Sequence, residues 1–114
     1  MLRTIKNARE IDALFKGGDR SANSYVVVLS APTPFGRGRL GRVAYIAGKR
    51  LGNAVWRNRV KRVLREAVKL SGGPWPGFDV AVIARPRVAL SSPEVVAEAI
   101  RAAGSDRISG VEQR

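Results

Sequence analysis

The sequence contains no cysteine and no histidine among its 114 residues. The lack of cysteine excludes disulfide bonds, thiol nucleophiles and cysteine-based metal sites. The lack of histidine removes the commonest general base and the commonest metal ligand. No apolar run reaches the roughly 20 residues of a membrane span, and the charged start of the chain argues against a secretory signal. We therefore expect neither catalytic nor metal-binding side chains in this protein.

Acidic residues are also scarce, nine against 21 basic ones, which gives a formal net charge of +12. The excess is concentrated between Arg20 and Arg65, where eleven basic residues occur without one acid. A block of one sign that spans predicted strands and a helix indicates a folded surface suited to a polyphosphate backbone. The alternative is a basic surface that is merely solvated, although such surfaces usually mix both signs.

Hydrophobic periodicity and capping residues predict three helices. Asn7 and Glu10 form a capping box for the first, which ends at Gly17–Gly18. The second is long and begins after Asn53. Ser91 is the predicted cap of the third, which Gly104 closes.

Three apolar, β-branched segments predict strands, at residues 25–29, 42–47 and 78–84. We expect the first two to pair as a hairpin and the third to lie inside the sheet. The order αββαβα predicts an α+β sandwich with its helices stacked on one sheet. Residues 1–104 form a single predicted domain, followed by a frayed tail at 105–114.

The second helix is strongly amphipathic at about 100° per residue. Its apolar face, which we expect to be core, comprises Trp56, Val60, Val63, Leu64, Ala67 and Leu70. Its polar face comprises Asn58, Lys61, Arg62, Arg65 and Lys69, with Arg57 and Arg59 at the two edges. The helix therefore buries one stripe and directs cations outward.

The N-terminal end of this helix is a candidate phosphate site. Lys49, Arg50 and Gly52 precede the cap Asn53, and free N–H groups, the helix dipole and cations favour an anion there. The amide of Asn58 can bond a 2′-hydroxyl or a base edge. A purely solvent-exposed helix is the alternative, although such faces usually intersperse glutamate.

One glycine-rich motif is either a flexible basic loop that contacts phosphates or a plain hairpin loop. Residues 36–41 match G-x-G-x-x-G, but a strand follows them and no acid occurs until Glu66, so a dinucleotide site is excluded. Among the aromatic residues, Phe15 and Tyr25 leave two possibilities open. Each can belong to the core or line a cleft between the first helix and the sheet, where single-stranded bases would stack. Arg85, at the end of the third strand, extends the basic surface or solvates a loop.

The segment from Lys49 to Glu66 resembles the signature helix, with its Arg-Asn-Arg core, of the bacterial ribonuclease P protein subunit. Residues 10–18 are similar to that family's first helix, and residues 82–86 to its last strand. The resemblance implies a fold like domain 2 of ribosomal protein S5, with a left-handed βαβ crossover that breaks the usual handedness rule. This chain departs from the family at Ile11, Gly48, Arg50 and Trp56.

The resemblance also implies a function in removing the 5′ leader of precursor tRNA. The partner would be a catalytic RNA that performs the hydrolysis with Mg²⁺ bound to the RNA and the substrate. By position, the residues that match the surface for this RNA are Lys49, Arg50, Asn53, Arg57, Asn58, Arg59, Lys61, Arg62 and Arg65. Those that match the leader cleft are Phe15, Tyr25 and Arg85.

The sequence thus predicts a cytoplasmic accessory subunit of a ribonucleoprotein endonuclease that is inactive without its RNA. Its cations would reduce phosphate repulsion between the catalytic RNA and the substrate. A ribosomal protein or RNA chaperone could use the same helix. A DNA-binding module is disfavoured, because a preceding helix joined by a short turn is missing.

Overall fold

Four strands and three helices make up the part of the chain that the computed structural model describes, residues 4–5, 7–33 and 41–105. Their bounds are α1 Ala8–Gly17, β1 Asp19–Ala22, β2 Val26–Pro32, β3 Arg42–Ile46, α2 Ala54–Leu70, β4 Phe78–Ala84 and α3 Pro93–Ile100. The predicted α+β class is confirmed. The predicted loop at 34–40 and the tail from 106 onward lie outside the described residues.

The strands form one sheet in the order β1-β2-β4-β3. Both β1 and β4 pair antiparallel with β2, whereas β3 and β4 pair parallel, with Val43 opposite Val80. A parallel pair needs a crossover connection, and here α2 supplies it. The predicted interior position of β4 is confirmed, and its nearly continuous apolar sequence follows from burial on both faces. The left-handed sense of this crossover stays a prediction.

The predicted hairpin between the first and second apolar segments is wrong. β2 forms its hairpin with β1 instead, so the order is αβββαβα rather than αββαβα. The strand β1 has the sequence Asp-Arg-Ser-Ala, is largely exposed, and lacks the alternation that identifies a strand. An Asn23 turn joins the two strands, because its side-chain oxygen accepts hydrogen bonds from the N–H groups of Tyr25 and Val26 at 2.9 and 3.0 Å.

The sheet is covered on both faces, which makes three layers. Because side chains alternate along a strand, one face presents Val26, Val28, Val43, Val80 and Val82. These pack against α2 and α3 around Leu64, Val60, Val68, Ile100 and Trp75. The other face presents Val27, Leu29, Ala44 and Ala81, which pack against Leu14 of α1 and Ile5. Within the described residues, no helix is long and apolar enough to cross a membrane.

Side-chain caps set where the helices begin. Asn7 accepts a hydrogen bond from the N–H of Arg9 at 2.8 Å, which confirms the predicted cap of α1. Asn53 accepts from the N–H of Trp56 at 3.1 Å, which confirms that of α2. The cap of α3 is Ser92, not Ser91 as predicted, because Pro93 is the first helical residue and the cap must directly precede it.

Candidate nucleic-acid interface

The cationic face of α2 is present, as the periodicity of the sequence predicts. The helix buries Val60, Leu64, Ala67 and Val68, while Asn58, Arg59, Arg62 and Arg65 are exposed and Arg57 and Lys61 are half-buried. Within the described part of the chain, none of these cations forms an ion pair. The face therefore has positive charge available for a partner.

The N-terminal end of α2 is built by a 3₁₀ turn, Lys49–Leu51, and by Gly52. Gly52 has a φ of 114°, a conformation that glycine adopts without strain. Lys49 and Arg50 are exposed beside the helix N-terminus, whose first N–H groups have no partner within the helix. This region thus has the predicted features of a phosphate site.

Trp56 does not lie in the core, contrary to the prediction. Its relative exposure is 43%, because burial on α2 begins one turn later, at Val60. The guanidinium carbon of Arg59 lies 5.8 Å from the centroid of the indole ring. Leu70, at the other end of the predicted stripe, is 41% exposed. The apolar face of the helix is therefore longer than the surface that covers it.

Tyr45, on the edge strand β3, shares a cavity with Lys61 and Arg65 of α2. The sequence did not predict this grouping. The guanidinium carbon of Arg65 lies 5.4 Å from the centroid of the Tyr45 ring. Burial raises the pKa of the Tyr45 phenol, and the Arg65 charge lowers it by less, so the hydroxyl stays protonated at neutral pH. A cavity of about 280 Å³ is lined by Thr4, Ile5, Ile11, Tyr45, Lys61 and Arg65. No local pattern links a strand residue to helix residues this distant in sequence.

A second cavity, of about 590 Å³, opens on the α1 side of the sheet. We call it the leader groove, after the leader cleft that the family resemblance predicts. Its floor includes Val27, Ile46 and Ile83, and its polar rim includes Lys49, Arg50 and Arg85. The fold thus brings Arg85 together with the N-terminal region of α2. An apolar floor with a cationic rim suits an extended single strand, with bases on the floor and phosphates at the rim.

The structure does not bring Phe15 and Tyr25 together. Phe15 is 54% exposed on α1, so it is not a core residue. Tyr25 packs against the core on the α2 and α3 side of the sheet, with the guanidinium carbon of Arg87 5.3 Å from its ring centroid. There it lines a cavity with Glu94 and Glu98. Of the three predicted cleft residues, Arg85 lines the leader groove and Tyr25 lies elsewhere.

One cation of the basic block is neutralised. Arg42 pairs with Glu10 of α1 and with Asp79 of β4, the latter at 3.6 Å between Nη2 and Oδ2. Asp79 is buried. Burial raises the pKa of its carboxyl, the Arg42 charge counteracts this, and Glu10 adds to the increase. This cluster joins α1 to the sheet, so Arg42 is structural rather than part of the free cationic surface.

A small α+β protein with a cationic helix face that has no ion pairs among the described residues, and with a cation-rimmed groove, falls in the class of nucleic-acid-binding proteins. The family model described as Ribonuclease P matches residues 2–105. The chain belongs to the ribonuclease P protein family, whose members are components of an endoribonuclease that processes tRNA.

Individual relatives agree with this assignment. The ribonuclease P protein component of Brevibacillus brevis is 37% identical over 101 residues, which cover 84% of this chain and 75% of that protein. That of Shouchella clausii is 45% identical over 82 residues, covering 71% and 66%. The structure of the Staphylococcus aureus RNase P protein superposes with a TM-score of 0.76 at 26% identity, covering 90% of this chain and 93% of that one. For the Thermotoga maritima protein the TM-score is 0.69 at 28% identity, covering 85% and 90%.

Proposed function

We propose that this protein binds the catalytic RNA of ribonuclease P and the 5′ leader of precursor tRNA, and so assists endonucleolytic maturation of the tRNA 5′ end. The observation that carries the proposal is the face of α2, where Arg62 and Arg65 are exposed and form no ion pair with any residue that the structure describes. The predicted RNA-binding residues Lys49, Arg50, Asn53, Arg57, Asn58, Arg59 and Lys61 lie on the same helix or at its N-terminal end. The complex would work in the cytoplasm.

In this proposal the protein is an accessory subunit without catalytic residues. The chain has no histidine or cysteine, and its cations are suited to neutralising phosphates rather than to transferring protons. Mg²⁺ bound to the partner RNA and to the substrate would supply the metal-ion chemistry of phosphodiester hydrolysis. The role of the protein is to lower the repulsion between two polyanions, which strengthens their association.

The leader would bind along the leader groove. Arg85, Lys49 and Arg50 are placed to contact its phosphates, while Val27 and Ile83 offer an apolar floor for its bases. Phe15, exposed on the helix that covers this face of the sheet, would stack on a base near the groove. Tyr25 lies on the opposite face of the sheet, so we do not include it among the leader contacts.

Phe15→Ala tests the leader contact in the complex reconstituted with bacterial ribonuclease P RNA. We expect binding of precursor tRNA to weaken roughly 5- to 100-fold, since stacking on an aromatic contributes about 1–3 kcal/mol per base. Binding of a leaderless tRNA should not change, and Phe15→Trp, which keeps a ring, should restore the affinity. Affinities for both substrates are measured by titration. An equal loss for both would show that Phe15 acts only through the fold.

A further inference from the structure

The exposure of Trp56 calls for an explanation that packing does not provide. The protein has two tryptophans. Trp75 is 2% exposed and belongs to the main core, whereas Trp56 is 43% exposed. A tryptophan usually buries most of its large apolar surface. An indole left open on a cationic segment is suited to a ligand with an aromatic face.

The indole has neighbours on α2 and in the preceding loop but is only partly covered. Arg59, one turn further along α2, places its guanidinium carbon 5.8 Å from the ring centroid. Gly52 approaches from the loop before the helix, where an added Cβ would lie 3.4 Å from the Trp56 Cβ and 3.5 Å from Cδ1. Because the φ of Gly52 is 114°, a side chain there would also be strained. The backbone thus passes close to one edge of the indole, and 43% of the surface of Trp56 stays exposed.

The surroundings of Trp56 are positively charged. Arg57 follows it directly, and Lys49 and Arg50 stand in the 3₁₀ turn that leads into the helix. None of these cations forms an ion pair within the described residues. A nucleic-acid strand whose phosphates contact these groups would bring its bases within reach of the indole, and Arg59 offers a second planar surface for stacking.

We infer that Trp56 and Arg59 form a stacking platform for one unpaired nucleobase of an RNA strand whose phosphates lie along α2. Base stacking on an aromatic ring tolerates any base, because every base has a π face. The inference rests on the proposed function, since it assigns a base contact to the same RNA-binding helix. The base can come from the catalytic RNA or from precursor tRNA.

Tryptophan fluorescence tests the platform directly. We titrate the protein separately with bacterial ribonuclease P RNA, with precursor tRNA and with a leader oligonucleotide. Stacking quenches indole emission, so the RNA that supplies the base should lower the emission of Trp56 while buried Trp75 keeps its own. Trp56→Leu should remove the quenching and weaken binding of that RNA roughly 5- to 100-fold. Trp56→Phe, which keeps a ring, should retain most of the affinity.

A matched control separates stacking from loss of apolar surface. Val55 is 77% exposed beside Trp56 and has no ring, so Val55→Ala should bind RNA as the wild-type protein does. The inference is overturned if the wild-type emission is unchanged at saturation, or if Trp56→Leu and Val55→Ala bind with equal affinity. A wild-type protein that binds none of the three RNAs would instead contradict the proposed function itself.

Discussion

Individual ionisable residues of this protein contribute either to the stability of the fold or to the charge exposed on its surface. Arg42 is enclosed between Glu10 and Asp79, whereas Arg62 and Arg65 lie exposed without ion pairs in the described structure. Composition counts all three equally in the net charge of +12. Burial and pairing decide which charge stabilises the fold and which one is available to RNA. The Asp79 carboxylate is the clearest case, because burial disfavours its charged form.

Asp79→Asn tests that effect through the pH dependence of stability. Since burial raises the pKa of Asp79 in the folded state, the folded protein binds more protons than the unfolded one between the two pKa values. The free energy of unfolding of the wild-type protein should therefore fall, relative to the Asn variant, as pH rises above 3.8, the ordinary pKa of an aspartate. Denaturant unfolding at each pH measures the difference.

Asp12→Asn is the matched control for this measurement. Asp12 is exposed and pairs with Lys16 on the surface of α1, so we expect its effect to be within about 0.5 kcal/mol at every pH. The prediction would be contradicted if the free energy of unfolding of the wild-type protein rose with pH relative to that of Asp79→Asn. It would mean that the Arg42 pair outweighs the burial of the carboxyl.

Among the elements, α2 could be predicted almost completely from the sequence, because its cap, its periodicity and its cationic face are local properties. Asn53 caps the helix, and Val60 and Leu64 are buried as expected. Its surroundings were not predictable in the same way. The exposure of Trp56 depends on where the sheet and α3 stop covering the helix, and the contact of Arg65 with Tyr45 depends on the crossover that places α2 beside β3.

For the strands too, the sequence predicts individual elements but not how they pair. β4 was recognisable from its apolar run, but its partners were not, since apolar pattern alone does not specify which strands pair. Chain order suggested a hairpin of β2 with β3, whereas the sheet places β4 between them. The leader groove follows from that order, because its floor combines Val27, Ile46 and Ile83 from three different strands.

Arg62→Ala tests the role of α2 as an RNA-binding element. Removing one phosphate contact should weaken binding of bacterial ribonuclease P RNA and make the dependence of log K on log salt shallower by about one. Arg87→Ala is the control, because Arg87 lies over Tyr25 and donates to Ser24 on another part of the surface. Filter binding at several salt concentrations measures both slopes. Equal slopes for the two variants would place the RNA away from this helix face.

At the scale of the whole molecule, most of the cations in the described part of the chain lie along α2 or around the leader groove. The carboxylates of Glu94 and Glu98 line a separate cavity beside α3. Such an uneven distribution makes the electrostatic potential positive on one part of the surface, so a polyanion is attracted to that part. Under the proposed function, this attraction would support an RNA-catalysed reaction without a reacting group from the protein.

Cleavage at low Mg²⁺ tests this account most directly. Bacterial ribonuclease P RNA is incubated with precursor tRNA at a Mg²⁺ concentration too low for the RNA to act alone, with and without the protein. We predict that the protein restores cleavage at the mature 5′ end, and that the protein without the RNA cleaves nothing. Absence of stimulation, or cleavage by the protein alone, would contradict the account.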